Sequence, residues 1–86
     1  MNGPTLEKIR DIVKDCIIEE TGHKNKIEDT HDSSHVEGWD SIAHIRIMYR
    51  IDFKLGTEIE IRETYAASNI MELAQIFFKN LQLMEE

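Results

Sequence analysis

Gly38-Trp39-Asp40-Ser41-Ile42-Ala43-His44-Ile45 marks the point where a polar loop ends and an apolar helix begins. Asp40 is a strong N-cap, because its carboxylate can accept the free backbone N–H groups of a helix's first turn. Ser41 then takes the first helical position. There its hydroxyl points outward beside the positive end of the helix dipole, a place that favours a bound or covalently attached phosphate. As a bare dipeptide, Asp-Ser before an apolar run is only a cap. The surrounding chain decides how much more it carries.

Downstream, the apolar run predicts a helix from Ser41 to about Leu55, ending at Gly56. Ile42, Ile45, Ile47, Met48, Ile51 and Leu55 give it a wide apolar face, with Tyr49 and Phe53 at the edges. So many bulky residues predict a helix packed on by several neighbours, the central element of a bundle. Its polar residues are mostly basic: Arg46, Arg50 and Lys54, against Asp52 alone. This local reversal of sign reads either as a solvated face paired with nearby acids or as a partner-recognition surface.

Upstream, Leu6, Ile9, Ile12, Val13, Cys16 and Ile17 recur at three- and four-residue spacing and predict a first helix. Thr5 caps it, Gly22 stops it, and charged residues fill its other face. Cys16 lies on the apolar stripe, so it reads as a small buried hydrophobe rather than a nucleophile. Residues 22–39 form a long polar loop, unusual in so small a domain and often a sign of function. Ile27, Val36 and Trp39 are its apolar anchor points. His23, His31, Asp32 and His35 invite a metal reading. Ser33-Ser34 between the last two, and the lack of cysteine partners, favour a solvated loop instead.

After Gly56, Thr57-Glu58-Ile59-Glu60-Ile61 alternates like a strand. With no second strand to pair with, it reads as an extended connector that buries Ile59. A short third helix over 62–66 is expected to turn Tyr65 inward. Ser68-Asn69 with Glu72 resembles a capping box, with Asn69 the cap. Ile70, Leu73, Ala74, Ile76, Phe77 and Leu81 then share one stripe of a last helix. Met84, Glu85 and Glu86 are expected to fray. The expected fold is all-α: a small four-helix bundle with a long loop between helices 1 and 2 and a short helix 3.

Composition limits the functions open to such a bundle. The chain has 86 residues, 41% of them apolar, so residues 1–86 are read as one small domain with a shallow core. Seventeen acidic residues against ten Lys plus Arg give a net charge of −7. That argues against a nucleic-acid binder, which needs a basic face to displace counterions. A single cysteine points to a reducing compartment. No run of 18 apolar residues exists to span a membrane, and the first residues lack a signal pattern. A cytoplasmic monomer is the expectation.

No catalytic motif emerges. Gly-rich phosphate loops, Cys-x-x-Cys pairs and nucleophile elbows are all missing from the sequence. Ser41 and His44 share a helix face, and Asp40 is adjacent, but no oxyanion pocket accompanies them. The chain is therefore not expected to be an enzyme.

Gly38-Trp39-Asp40-Ser41-Ile42-Ala43-His44 resembles the prosthetic-group site of acyl carrier proteins, whose hallmark is Asp-Ser followed by an aliphatic residue. The Trp-Asp-Ser-aliphatic-x-His form is similar to small stand-alone carriers in particular. The likeness continues through Ile45, Ile47, Ile51 and Leu55-Gly56, then Glu58-Ile59 and Ala67-Ser68-Asn69-Ile70, and so covers nearly the whole chain. It implies an acyl-carrier-type bundle. Ser41 would accept 4′-phosphopantetheine from coenzyme A through a magnesium-dependent phosphopantetheinyl transferase. The chain would hold no metal of its own. Asp40 would cap the helix and help orient the modifying enzyme's metal and coenzyme. Trp39 would pack beside the site, and His44 would donate a hydrogen bond to the phosphate; a loop anchor and a plain surface residue are the alternatives for these two. Acyl groups would travel as thioesters between loading and processing enzymes of fatty-acid, polyketide or related biosynthesis.

The family's second helix is usually acidic. Here the corresponding helix carries Arg46, Ile47, Arg50 and Lys54, which implies a dedicated partner set docking there. The alternative to a carrier is an unmodified interaction module that docks through the same basic helix.

Overall fold

The computed structural model describes residues 3–84. Four α-helices follow in chain order: α1 Leu6–Thr21, α2 Ser41–Leu55, α3 Ile61–Thr64 and α4 Ile70–Met84. One 3₁₀ turn, Ser33–His35, interrupts the loop between α1 and α2. No strand occurs among the described residues. The expected fraying of Glu85 and Glu86 concerns residues outside those described.

Helix ends follow the sequence signals. The Thr5 hydroxyl accepts the Lys8 N–H, and Gly22 closes α1 in a left-handed conformation. At α4, Asn69 Oδ1 accepts the Glu72 N–H at 2.9 Å, while the Glu72 carboxylate accepts the Ser68 N–H at 2.8 Å. After Gly56, the Asp52 carboxylate accepts the Thr57 hydroxyl and the Ile59 N–H. Those bonds anchor the connector to the end of α2, and the alternating segment lies extended without a partner strand and buries Ile59.

Ile9, Val13, Cys16 and Ile17 of α1 form the spine of the core. Ile47, Met48 and Ile51 pack on it from α2, and Ile70, Leu73, Ala74 and Phe77 from α4. The hub is therefore α1, which packs along both α2 and α4, rather than α2 as its bulk predicts. Ile42, Ile45, Tyr49 and Phe53 all lie on the solvent side of α2. Only one stripe of that helix remains for the core.

The α1–α2 loop is built into the bundle rather than merely solvated. Ile27 and Val36 are buried in the core. The Asp29 carboxylate holds Lys14 at 2.6 Å and Arg10 at 3.4 Å. Its lysine partner keeps the carboxyl below the usual carboxylate range. Two loop carbonyls finish the open end of α4: Asp29 O accepts the Met71 N–H at 3.0 Å, and His31 O accepts the Ile70 N–H at 2.9 Å. The loop thus ties α1 to α4 through a side chain on one and its backbone on the other.

Candidate functional site

Asp40 opens α2 as the sequence predicts. Its carboxylate accepts the Ala43 N–H at 2.8 Å, and its carbonyl accepts the His44 N–H at 2.8 Å. Ser41 follows at the first helical position and is exposed. Gly38 sets the approach. Its φ of +91° is in the left-handed region, and a Cβ there would meet the Thr21 side chain at 3.5 Å. A residue without a side chain lets the loop turn tightly over the end of α1 and deliver Trp39 to the bundle.

Trp39 and His44 form the floor. The Trp39 indole N–H donates to His44 Nδ1 at 3.1 Å. Their rings lie 6.0 Å apart and 11° from parallel, side by side, as a bond between ring edges requires. An indole N–H can only donate, so Nδ1 must be unprotonated and the ring's hydrogen sits on Nε2. Nε2 donates to the Thr64 hydroxyl at 2.7 Å, and that hydroxyl donates to Ile61 O at 2.6 Å. The relay runs from loop to α2 to α3, with every donor matched to an acceptor. Tyr65 stacks on the His44 ring, with ring centroids 4.8 Å apart. Burial pushes the imidazole below the usual histidine value of 6.5, because desolvation disfavours its charged form.

His44 is thus neither a plain surface residue nor a free donor for a phosphate. It is 9% exposed and both ring nitrogens are engaged. Sequence reading missed its partners, Thr64 and Tyr65. A signal did exist for His44 itself: its spacing to Met48, Ile51 and Leu55 is that of the core stripe. Nothing in the sequence couples it to Thr64, twenty residues on. Tyr65 is 59% exposed rather than turned inward. Because α3 begins at Ile61 and ends at Thr64, the Thr64 side chain takes the interior position instead.

The residues expected to dock partners separate into two groups. Ile47 is wholly buried in the core and cannot contact a partner. Arg46, Arg50 and Lys54 turn toward α1, where Arg50 Nε meets Glu20 at 2.9 Å, Lys54 meets Glu19 at 2.9 Å and Arg46 meets Glu20 at 3.7 Å. The basic stripe is matched within the molecule. The large apolar side chains α2 presents to solvent are Ile42, Ile45, Tyr49 and Phe53.

The loop histidines have structural work. Nδ1 of His31 accepts the Glu28 N–H and Nδ1 of His35 accepts the Asp32 N–H, each at 3.1 Å. Their rings stack 4.4 Å apart. Among the described residues no three His, Cys, Asp or Glu side chains gather as a metal site. Cys16 lies wholly inside the core, where burial pushes its thiol up to about 11.

A groove of 480 Å³ opens beside Ser41, between the loop and the α3–α4 corner. Trp39, His44, Tyr65 and Leu73 line it together with Ser34, Ser68, Asn69 and the carboxylates of Asp32 and Asp40. The exposed hydroxyl, the capped helix start and an adjoining groove of mixed polarity fit attachment of a phosphate-linked chain. No helix among the described residues is long and apolar enough to cross a membrane. Comparison with family models, with proteins of curated function and with solved structures finds no match for this chain.

Proposed function

We propose that the chain is a stand-alone acyl carrier protein that bears 4′-phosphopantetheine on Ser41. The observation that carries this reading is the placement of Ser41: exposed, first in α2, behind the Asp40 cap and at the lip of the groove. Its modification forms a bond from Oγ to the phosphorus of coenzyme A's pantetheine phosphate. The pyrophosphate link breaks, 3′,5′-adenosine bisphosphate leaves, and the hydroxyl proton passes to a base of the transferase. Asp40 keeps the helix start rigid while that enzyme works. Trp39, locked to His44, holds the preceding loop in one place.

The prosthetic group would supply a thiol on a long tether, able to hold an acyl group as a thioester and present it at high effective concentration to partner enzymes. The chain itself contributes no catalysis in this reading. Its buried Cys16 does not compete with the tethered thiol for cargo.

The reading is tested by intact mass after purified apo-protein is incubated with coenzyme A and a broad-specificity phosphopantetheinyl transferase. Wild type gains one phosphopantetheine and Ser41→Ala gains none. A folded, unmodified sample that resists several transferases would overturn the proposal. The alternative, an unmodified interaction module, is favoured by one observation: Ile42, Ile45, Tyr49 and Phe53 form a solvent-facing apolar stripe along α2. Such a module would dock through that stripe rather than through the paired basic residues.

A further inference from the structure

We infer that His44 is a proton-operated latch: a proton on its Nδ1 releases Trp39 and the loop before Ser41, while the ring keeps its hold on α3. The latch needs no prosthetic group and is independent of what Ser41 carries.

Neutral His44 has one acceptor, Nδ1, and one donor, Nε2. The Trp39 indole N–H donates to the first at 3.1 Å, and the second donates to the Thr64 hydroxyl at 2.7 Å. An added proton can go only to Nδ1, because Nε2 already carries a hydrogen. The imidazolium then points an N–H at the indole N–H, and an indole cannot turn acceptor. That contact must open. The Thr64 side needs no change: Nε2 still donates, and the hydroxyl still donates to Ile61 O at 2.6 Å. Tyr65 favours the same outcome. Its ring stacks 4.8 Å from the imidazole, inside the distance of about 6 Å at which an aromatic face attracts a cation. Trp39 meets the imidazole side by side instead, so no such attraction holds it. The charged ring stays with α3 and repels the loop.

The loop has a segment that can respond. Val36 is buried in the core and Asp40 caps α2, so Glu37, Gly38 and Trp39 lie between two fixed points. Gly38 has the backbone freedom to act as their hinge. The indole has a single polar hydrogen, and without His44 only apolar packing holds the ring. Few titratable groups surround the latch. Asp32 from the loop and Asp40 from the helix start line the same groove as His44, and Tyr65 comes from the end of α3. The corner before α4 brings the uncharged Ser68 and Asn69, α4 itself brings Leu73, and α1 brings no titratable side chain to that groove. Asp32 is engaged by Ser34, and Asp40 by the Ala43 N–H. Burial, rather than either carboxylate, sets the direction of the imidazole's pKa, which lies below 6.5.

The test is a pH titration of the isotope-labelled apo-protein, from neutral pH down through the range below 6.5. Magnetic resonance follows the His44 ring, the Trp39 indole N–H and the ring-to-ring contacts, and circular dichroism follows the helices. The expected result is a Trp39 indole resonance that moves with the same midpoint as the His44 ring. Cross-relaxation between His44 and Trp39 is lost, that between His44 and Tyr65 persists, and the helical signal stays constant. In His44→Gln the side-chain amide offers Trp39 an acceptor and Thr64 a donor but takes up no proton, so the indole resonance holds still. A His44 ring that titrates while Trp39 keeps its contact would overturn the latch. So would an indole titration that persists in His44→Gln, which would assign the response to Asp32, Asp40 or a loop histidine. Trp39 and the helical signal changing together would overturn it as well, because the relay would then break only with the fold. If His44→Gln does not fold, the shared midpoint and the split between the Trp39 and Tyr65 contacts in wild type still decide.

Discussion

The two ends of α2 are tied to the bundle by different physics. At the N-terminal end, Trp39, His44 and Thr64 form a neutral, largely buried relay in which each hydrogen-bonding atom has one specific partner. At the C-terminal end, Arg50 and Lys54 reach the acids of α1 through ion pairs open to solvent. A buried relay is geometrically exact and costly to break, because an orphaned partner loses its water and gains nothing. Exposed ion pairs contribute little and are screened by salt. The stiff end is the one that carries Ser41, the hydroxyl that the proposed modifying enzyme would have to find in a fixed place.

The largest expected effect comes from breaking the relay. His44→Ala strands the Trp39 indole N–H, removes the donor to the Thr64 hydroxyl and leaves a hole under Tyr65. It should destabilise the protein by about 2 kcal/mol, read as a fall in the urea midpoint of Trp39 fluorescence. The relay also predicts a pH dependence. Burial depresses the folded pKa of His44 below 6.5. Above 6.5 the ring is neutral in both states and costs nothing. As pH falls below 6.5, the unfolded chain binds a proton that the folded ring refuses, so stability drops until the folded ring titrates too. Wild type should therefore lose stability between pH 7.5 and 5.5, and His44→Ala should lose less. Parallel curves for the two proteins would show that the ring does not titrate as a buried group.

How much of this was legible in the sequence follows from the range of each interaction. Caps, stops and stripes are local, and Thr5, Asp40, Asn69, Gly22 and Gly56 end their helices where the residues predict. The limits of α2 were equally plain. Its orientation was not, because Ile42, Ile45, Tyr49 and Phe53 look as apolar as Ile47 and Met48, and only the position of α1 decides which side is dry. The site divides the same way. Ser41 at the helix start is a matter of neighbouring residues. The relay to Thr64, the pairing of Arg50 with Glu20 and the clamp of Asp29 between α1 and α4 join residues 15 to 42 apart in sequence, and no local pattern encodes them.

A smaller effect is expected at the other end of α2. Arg50→Gln removes the contacts to Glu19 and Glu20. The urea midpoint should fall by less than in His44→Ala, and the difference from wild type should shrink at roughly 1 M salt, where charges are screened within about 3 Å. The His44→Ala deficit should survive the same salt, since no charge is involved. A salt-insensitive Arg50 deficit would mean that its side-chain stem, not its charge, supports the contact.

The smallest stability effect belongs to the solvent-facing stripe. Phe53 is 89% exposed, so Phe53→Ser should change stability by no more than about 0.5 kcal/mol. A loss well beyond that would show the ring packed against the bundle and the stripe absent. Ile42 shares its exposure but stands next to Ser41, whereas Phe53 lies about 16 Å further along the helix axis at 1.5 Å per residue. Any enzyme that modifies Ser41 must cover Ile42 and need not reach Phe53. If the proposed modification holds, Ile42→Ser should therefore leave the urea midpoint unchanged yet raise the KM of a phosphopantetheinyl transferase several-fold, with Phe53→Ser close to wild type in both. If both substitutions slow modification equally, the transferase grips the whole stripe, and the stiff N-terminal end of α2 is not the sole determinant of recognition.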